Sequence, residues 1–119
     1  MTQLTLTFTL NRKRTALVYV EQRAELFRSD FADYLRTNWH VYEAFERQAN
    51  AVWARGRRHY SARTLIEVLR HESVLQDSDP EWKLNDWWTK DLARLWLCFH
   101  PERDGFFEFR NGQSAVRAA

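Results

Sequence analysis

The chain has 119 residues, of which 45% are apolar and 15% aromatic, with only three glycines and two prolines. This length and composition predict one folded domain and are unlike those of a chain that is disordered as a whole. The net charge of +2 selects no class of partner, but the single cysteine, Cys98, excludes an internal disulfide and favours a reducing compartment.

No basic segment followed by a long apolar segment opens the chain, so we expect no signal peptide. The longest apolar runs fall far short of the ~20 residues that a membrane-spanning helix needs. We therefore expect a cytoplasmic protein that does not enter a membrane.

The first predicted element is a β-hairpin over 1–22. Apolar and threonine side chains alternate strictly over 4–10, as a half-buried strand requires, and the Val- and Tyr-rich residues 15–20 would return as a second strand. The alternative is a leader that orders only on binding. An open strand edge here could pair with another chain, which makes a homodimer one alternative for the oligomeric state.

From residue 21 onward the apolar residues recur with helical spacing. We predict one helix up to about residue 35 and a second that Asn38 caps and Gly56 ends. Ser61 is expected to cap a third helix, which carries an Arg63–Glu67 pair at i, i+4.

The segment 73–85 is the main irregular connection, with a short strand at 82–84. A fourth helix follows over about 86–99, with Trp88 facing inward, and Pro101 ends it. Residues 106–109 are predicted to form a closing strand, and the tail 111–119 is expected to be loose.

These elements together predict an α+β fold that is mainly helical. We expect three to four helices, an N-terminal β-hairpin and a short C-terminal strand within a single domain. The hairpin element covers 1–22, the helical domain 23–110 and the loose tail 111–119.

Catalytic signatures are missing from the sequence. The four histidines lack the spacing of metal ligands, and three scattered glycines cannot form a phosphate-binding loop. Cys98 lies in an apolar run, which favours a buried thiol over a nucleophile. We therefore predict a protein that is not an enzyme, with no catalytic residue, no metal and no cofactor.

The strongest candidate for a binding site is the basic segment 55–63, which runs into a helix N-terminus where backbone N–H groups favour an anion. A nucleic-acid phosphate backbone fits this chemistry. The alternative is a solvated loop that pairs with the acidic stretch downstream. The predicted nucleic-acid-binding residues are Arg55, Arg57, Arg58, Tyr60, Ser61, Arg63, Lys90 and Arg94.

A second candidate is a protein-docking surface on the fourth helix. If Trp88 packs inward, Trp87 lies about 100° around the helix and is exposed, although paired tryptophans more often build a core. The acidic residues of the preceding connection could add to this surface. The predicted partner-binding residues are Trp87, Lys90, Asp91, Arg94, Asp77, Asp79 and Glu81.

Several short motifs in a fixed order resemble a family of small uncharacterised phage and prophage proteins over residues 31–110. They are Asn38-x-x-Val41-Tyr42-x-x-Phe45, Gly56-x-x-x-Tyr60-Ser61, Ile66-Glu67-x-x-Arg70, Lys83-Leu84-Asn85-Asp86, Ala93-Arg94, Pro101 and Gly105-Phe106-Phe107-Glu108-x-Arg110. The resemblance implies a phage or prophage origin and a compact domain similar to a winged helix. It implies no activity.

The leading functional hypothesis is therefore a small non-enzymatic protein that binds duplex DNA through its basic loop. The alternative is a regulator or inhibitor that docks on a host or phage protein through a Trp-rich surface of mixed charge. Salt separates the two hypotheses, because phosphate contacts weaken steeply as salt rises.

Overall fold

Five α-helices follow one another in the described part of the chain. The structure, a computed structural model, describes residues 3–76 and 86–109. Short 3-10 segments lie at Ala24–Leu26, Asp86–Trp88 and Pro101–Arg103. The helices are α1 (Gln3–Gln22), α2 (Phe31–Thr37), α3 (Trp39–Ala54), α4 (Ala62–Gln76) and α5 (Thr89–Phe99).

The core lies around α3 and α5, and large aromatic rings fill it. Tyr42 and Phe45 of α3 and Trp96 of α5 are fully buried. Beyond α5 the chain turns back, so that Phe106 and Phe107 pack on Trp96 with ring centroids 5.1 and 5.2 Å from it. Each such ring buries on the order of 150–250 Å², so these contacts supply much of the hydrophobic stabilisation.

The predicted N-terminal β-hairpin is wrong, because the residues assigned to its two strands form the single helix α1. A two-stranded hairpin alone is marginal in water, and the described residues offer no third strand to extend it. The helix instead places Arg12, Ala16 and Val20 on one face, where Ala16 and Val20 are buried. This packing outweighs the β propensity of a segment rich in Thr and Val.

The predicted C-terminal strand is also wrong, and with it the α+β class and the winged-helix-like architecture. Over residues 3–76 and 86–109 the structure is all-helical, with turns and loops but no strand. Phe106 and Phe107 are consecutive and both buried. Neighbouring residues of a half-exposed strand would point to opposite faces instead.

The predicted ends of the central helices are confirmed. Gly56 follows α3 with a φ of +93°, a conformation in which a side chain would be strained. Ser61 caps α4, since its Oγ accepts the N–H of Thr64 at 3.2 Å. Pro101 opens a 3-10 turn just after the end of α5.

The helix predicted from residue 21 is divided into the 3-10 turn Ala24–Leu26 and α2. Asn38 holds the predicted N-cap position of α3, but its side chain serves the preceding helix. Its Nδ2 donates to the carbonyl oxygen of Tyr34 at 2.9 Å and so satisfies the C-terminus of α2.

The predicted elements 1–22 and 23–110 contribute to one core. Ala16 and Val20 of α1 belong to the same buried cluster as the apolar residues of α3, α4 and α5. The predicted short strand at 82–84 and the loose tail 111–119 lie outside the described residues.

Candidate nucleic-acid interface

The basic loop, residues 55–61, connects α3 to α4 on the protein surface. Arg55 and Arg57 are exposed, and neither side chain forms an ion pair with a described residue. Gly56 reverses the chain between them, and its N–H donates to the carbonyl of Trp53 at 2.9 Å. The turn therefore presents two arginines to solvent at a defined place.

Arg58 packs back on the fold instead. Its guanidinium carbon lies 4.0 Å from the centroid of the Trp53 ring, which Arg103 also approaches at 5.0 Å. One of its Nη atoms also donates to the carbonyls of Trp53 and Arg57 at 3.2 and 3.0 Å. Arg58 thus fixes the loop on α3, and its charge is partly engaged by the protein itself.

The second half of the loop is held by the turn after α5. The N–H of Tyr60 donates to the carbonyl of Phe106 at 2.9 Å, and Nδ1 of His59 lies 3.1 Å from the carbonyl oxygen of Gly105. Because that turn is anchored in the aromatic core, the loop and the start of α4 are held at a fixed position.

Two open cavities flank Tyr60 and together form what we call the basic groove. The first has a volume of about 420 Å³ and lies against the end of α3, between Gln48, Arg55 and Arg57. The second has a volume of about 480 Å³ and lies between the N-termini of α4 and α5. The described residues that line it are His59, Tyr60, Ser61, Ala62, Arg63, Thr89, Lys90, Ala93, Glu108 and Phe109.

The charge of the groove is mainly positive. Arg55, Arg57, Arg63 and Lys90 line it, whereas Glu108 is the one carboxylate among its described lining residues. Nε of Arg63 lies 3.6 Å from Oε1 of Glu67, and both side chains are more than half exposed. Water and salt screen such a pair, so it offsets little of the positive potential.

Six of the eight predicted nucleic-acid-binding residues line the basic groove, and the exceptions are Arg58, which packs on Trp53, and Arg94. Arg94 lines neither half of the groove but lies one helical turn after Lys90, half-buried, where one Nη donates to the carbonyl of Leu26 at 2.7 Å. Its guanidinium carbon also lies 5.0 Å from the Phe109 ring centroid. Arg94 therefore joins α5 to the segment before α2.

The predicted docking residues Trp87, Lys90, Asp91 and Arg94 line one shallow cavity of about 310 Å³, the Trp87 cavity. Trp88 packs inward, as predicted, with its ring stacked on Tyr34 at 4.3 Å. Trp87 is 53% exposed. Asp77, Asp79 and Glu81 lie outside the described residues.

Asp91 belongs to the core at the floor of this cavity. It is only 2% exposed, its Oδ1 accepts the N–H of Arg28 at 3.1 Å, and its Oδ2 has no hydrogen-bond partner. Burial therefore raises the pKa of Asp91 to about 6, despite the N–H of Arg28 and the charge of Arg94. Its position on the apolar face of α5, beside Leu92, was the signal in the sequence for this burial.

A second buried carboxylate, Glu46, was missed by the sequence analysis. Arg12 of α1 forms a bidentate ion pair with it, and the hydroxyl of Tyr42 donates to its Oε2 at 3.1 Å. Nε2 of His100 lies 3.6 Å from the same oxygen. Burial opposes ionisation, but these partners outweigh it and lower the pKa of Glu46 to about 2. The cluster joins α1 to α3.

Comparisons with known proteins place the chain in no class: no protein-family model, curated protein or solved structure matches it. Among the described residues, no three His, Cys, Asp or Glu side chains are grouped as metal ligands would be. None of the helices described is both long and apolar enough to span a lipid bilayer.

Proposed function

We propose that this protein binds nucleic acid, and that the basic groove contacts the phosphate backbone, as the sequence predicted for duplex DNA. The observation that carries the proposal is the position of Lys90. It lies some thirty residues after the basic loop in sequence, yet it lines the same cavity as Tyr60 and Arg63. A surface that contacts several phosphates needs several cations close together, and the fold adds Lys90 to the arginines of the loop.

The backbone adds to this potential. α4 begins at the groove, and the free N–H groups of its first turn carry the positive end of the helix dipole. The anchored loop also lowers the conformational entropy lost on binding, because its backbone is already ordered.

The proposal is tested by titrating the protein into a labelled duplex of random sequence at roughly 50 and 200 mM salt. With four cations each neutralising one phosphate, the affinity should fall by about a hundredfold between the two concentrations, from a slope near −0.9 per contact. Arg55→Glu/Arg57→Glu should abolish measurable binding at the higher salt. These two arginines are chosen because Arg58 also supports the fold.

The matched control is Arg14→Glu/Arg36→Glu, which changes the net charge by the same amount on exposed residues outside the groove. It should weaken binding only slightly. Equal losses in the two double variants would show attraction to net charge without a site, and no binding by the wild type at either salt would refute binding to duplex DNA.

A protein-docking regulator or inhibitor is the second candidate, and the Trp87 cavity favours it. An exposed tryptophan beside charges of both signs is typical of an interface hot spot. Trp87→Ala should then remove a host or phage partner from a pull-down. That complex should depend little on salt, whereas phosphate contacts depend on it strongly.

Both proposals keep the expectation that the protein acts without catalytic residues, metal or cofactor. The phage or prophage origin and the homodimer also stay predictions. Light scattering of the purified protein tests the homodimer directly.

A further inference from the structure

The basic groove and the Trp87 cavity adjoin at Lys90, which lines both. Tyr60 lines both halves of the groove, and Lys90 lines its second half as well as the Trp87 cavity. Three open cavities of about 420, 480 and 310 Å³ are therefore linked by shared lining residues, and we call them together the path.

An aromatic ring lines the cavity on each side of Lys90, Tyr60 in the basic groove and Trp87 in the Trp87 cavity. Tyr60 is half-buried where the two halves of the groove meet. Trp87 is 53% exposed, and the guanidinium carbon of Arg28 lies 3.3 Å from its ring centroid. The arginine packs on the indole ring, and its Nε lies 3.9 Å from Oδ1 of Asp30, an exposed pair that solvent screens, so its charge still adds to the potential beside the path.

We infer that the path binds a single strand of nucleic acid, with bases stacked on Tyr60 and Trp87 and phosphates against Arg57, Lys90 and Arg28. Alternating cations and aromatic rings are how proteins bind single strands without reading their sequence. This inference rests on the proposed function and specifies the form of nucleic acid.

The shape of the path favours a single strand over a duplex. Cavities of about 300–1,000 Å³ hold drug-sized molecules, so each of these three has room for a nucleobase. A single strand can turn its bases into such cavities, whereas the bases of a duplex are paired and stacked and expose only their edges. Glu25 and Glu108 also line the path, and their carboxylates repel phosphates. This repulsion disfavours the dense phosphates of a duplex more than those of a flexible single strand, which can bend away.

The test compares three labelled ligands at one salt concentration by fluorescence anisotropy. They are a twenty-nucleotide single strand of DNA, the same strand annealed to its complement, and a strand of equal length and charge that lacks bases. We expect the single strand to bind at least tenfold more tightly than the other two ligands. The base-free strand separates stacking from charge, because it keeps the phosphates.

Variants of Trp87 locate the stacking. Trp87→Ala should weaken single-strand binding about tenfold, within the range seen when a stacking aromatic is removed, and Trp87→Phe should restore most of it. The matched control is Phe8→Ala, which removes an aromatic ring that is 64% exposed on α1 and should leave the affinity unchanged. Circular dichroism and the melting temperature confirm that each variant is folded.

The outcomes separate this inference from the proposed function. Equal affinity for the single strand and the duplex, or a Trp87→Ala variant that binds the single strand as the wild type does, would overturn the inference and leave phosphate binding intact. Failure of the wild type to bind any of the three ligands would refute both. Retention of a protein partner through Trp87, without nucleic-acid binding, would also refute both in favour of the docking candidate.

Discussion

At the scale of single residues, two buried carboxylates show how partners decide ionisation in the same core. Glu46 receives a bidentate guanidinium and a tyrosine hydroxyl, and its pKa falls to about 2. Asp91 receives a single backbone N–H, and its pKa rises to about 6. Charged partners therefore outweigh burial in the first case, and burial prevails in the second.

The raised pKa of Asp91 predicts that its charge destabilises the fold at neutral pH. The ordinary pKa of an aspartate is 3.8, so between pH 3.8 and about pH 6 the folded state binds more protons than the unfolded state. The stability should therefore fall as the pH rises through this window, by on the order of 3 kcal/mol, and level off above it. Asp91→Asn should remove this dependence and raise the free energy of unfolding at pH 8, measured by urea denaturation from pH 4 to pH 8.

Glu46→Gln is the control, because it should change the stability in the opposite direction. The ionised carboxylate of Glu46 stabilises the fold fully above its ordinary pKa of 4.5, and this stabilisation disappears as the pH falls toward 2. Removing its charge should lower the stability at pH 8 by about 3 kcal/mol, because the guanidinium of Arg12 loses its bidentate partner. If both variants changed stability in the same direction at pH 8, the environment assigned to Asp91 would be wrong.

At the scale of elements, α1 is the helix with the sequence least typical of a helix. Its threonines and valines favour a strand, and alternation alone supports that prediction. The alternation carries no information on the partners of this segment: α1 packs against α2 and α5, Ala16 and Val20 belong to the common core, and Arg12 pairs with Glu46. Local propensity predicts secondary structure only where such distant contacts agree with it.

Thr15 offers a direct test of this helix, because it is exposed in the middle of α1. Alanine is the best helix former and a poor strand former, so Thr15→Ala should stabilise the protein by about 0.5 kcal/mol. Thr15→Val should be close to neutral, since Val and Thr have similar helix propensities. A hairpin would show the reverse order in urea denaturation, with the valine variant more stable than the alanine variant.

At the scale of the whole molecule, the sequence predicted correctly those structural features that depend only on residues nearby in the chain. The basic loop, Gly56, the Ser61 cap and the inward Trp88 were all readable from local pattern and are confirmed. The separation of Arg94 from the basic groove was not readable, because it depends on a contact with Leu26, far away in sequence. The shared cavity of Lys90 and Tyr60 likewise depends on how α5 packs against α4.

The same long-range contacts predict that α1 unfolds together with the rest of the molecule. Its buried residues belong to the common core, and its ion pair with Glu46 reaches the centre of α3. None of the six tryptophans lies in α1, so their fluorescence reports on the rest of the fold, whereas far-UV circular dichroism also includes this helix. We expect the two urea transitions to coincide, as in a two-state domain. An earlier transition in circular dichroism would show that α1 detaches before the rest of the core unfolds.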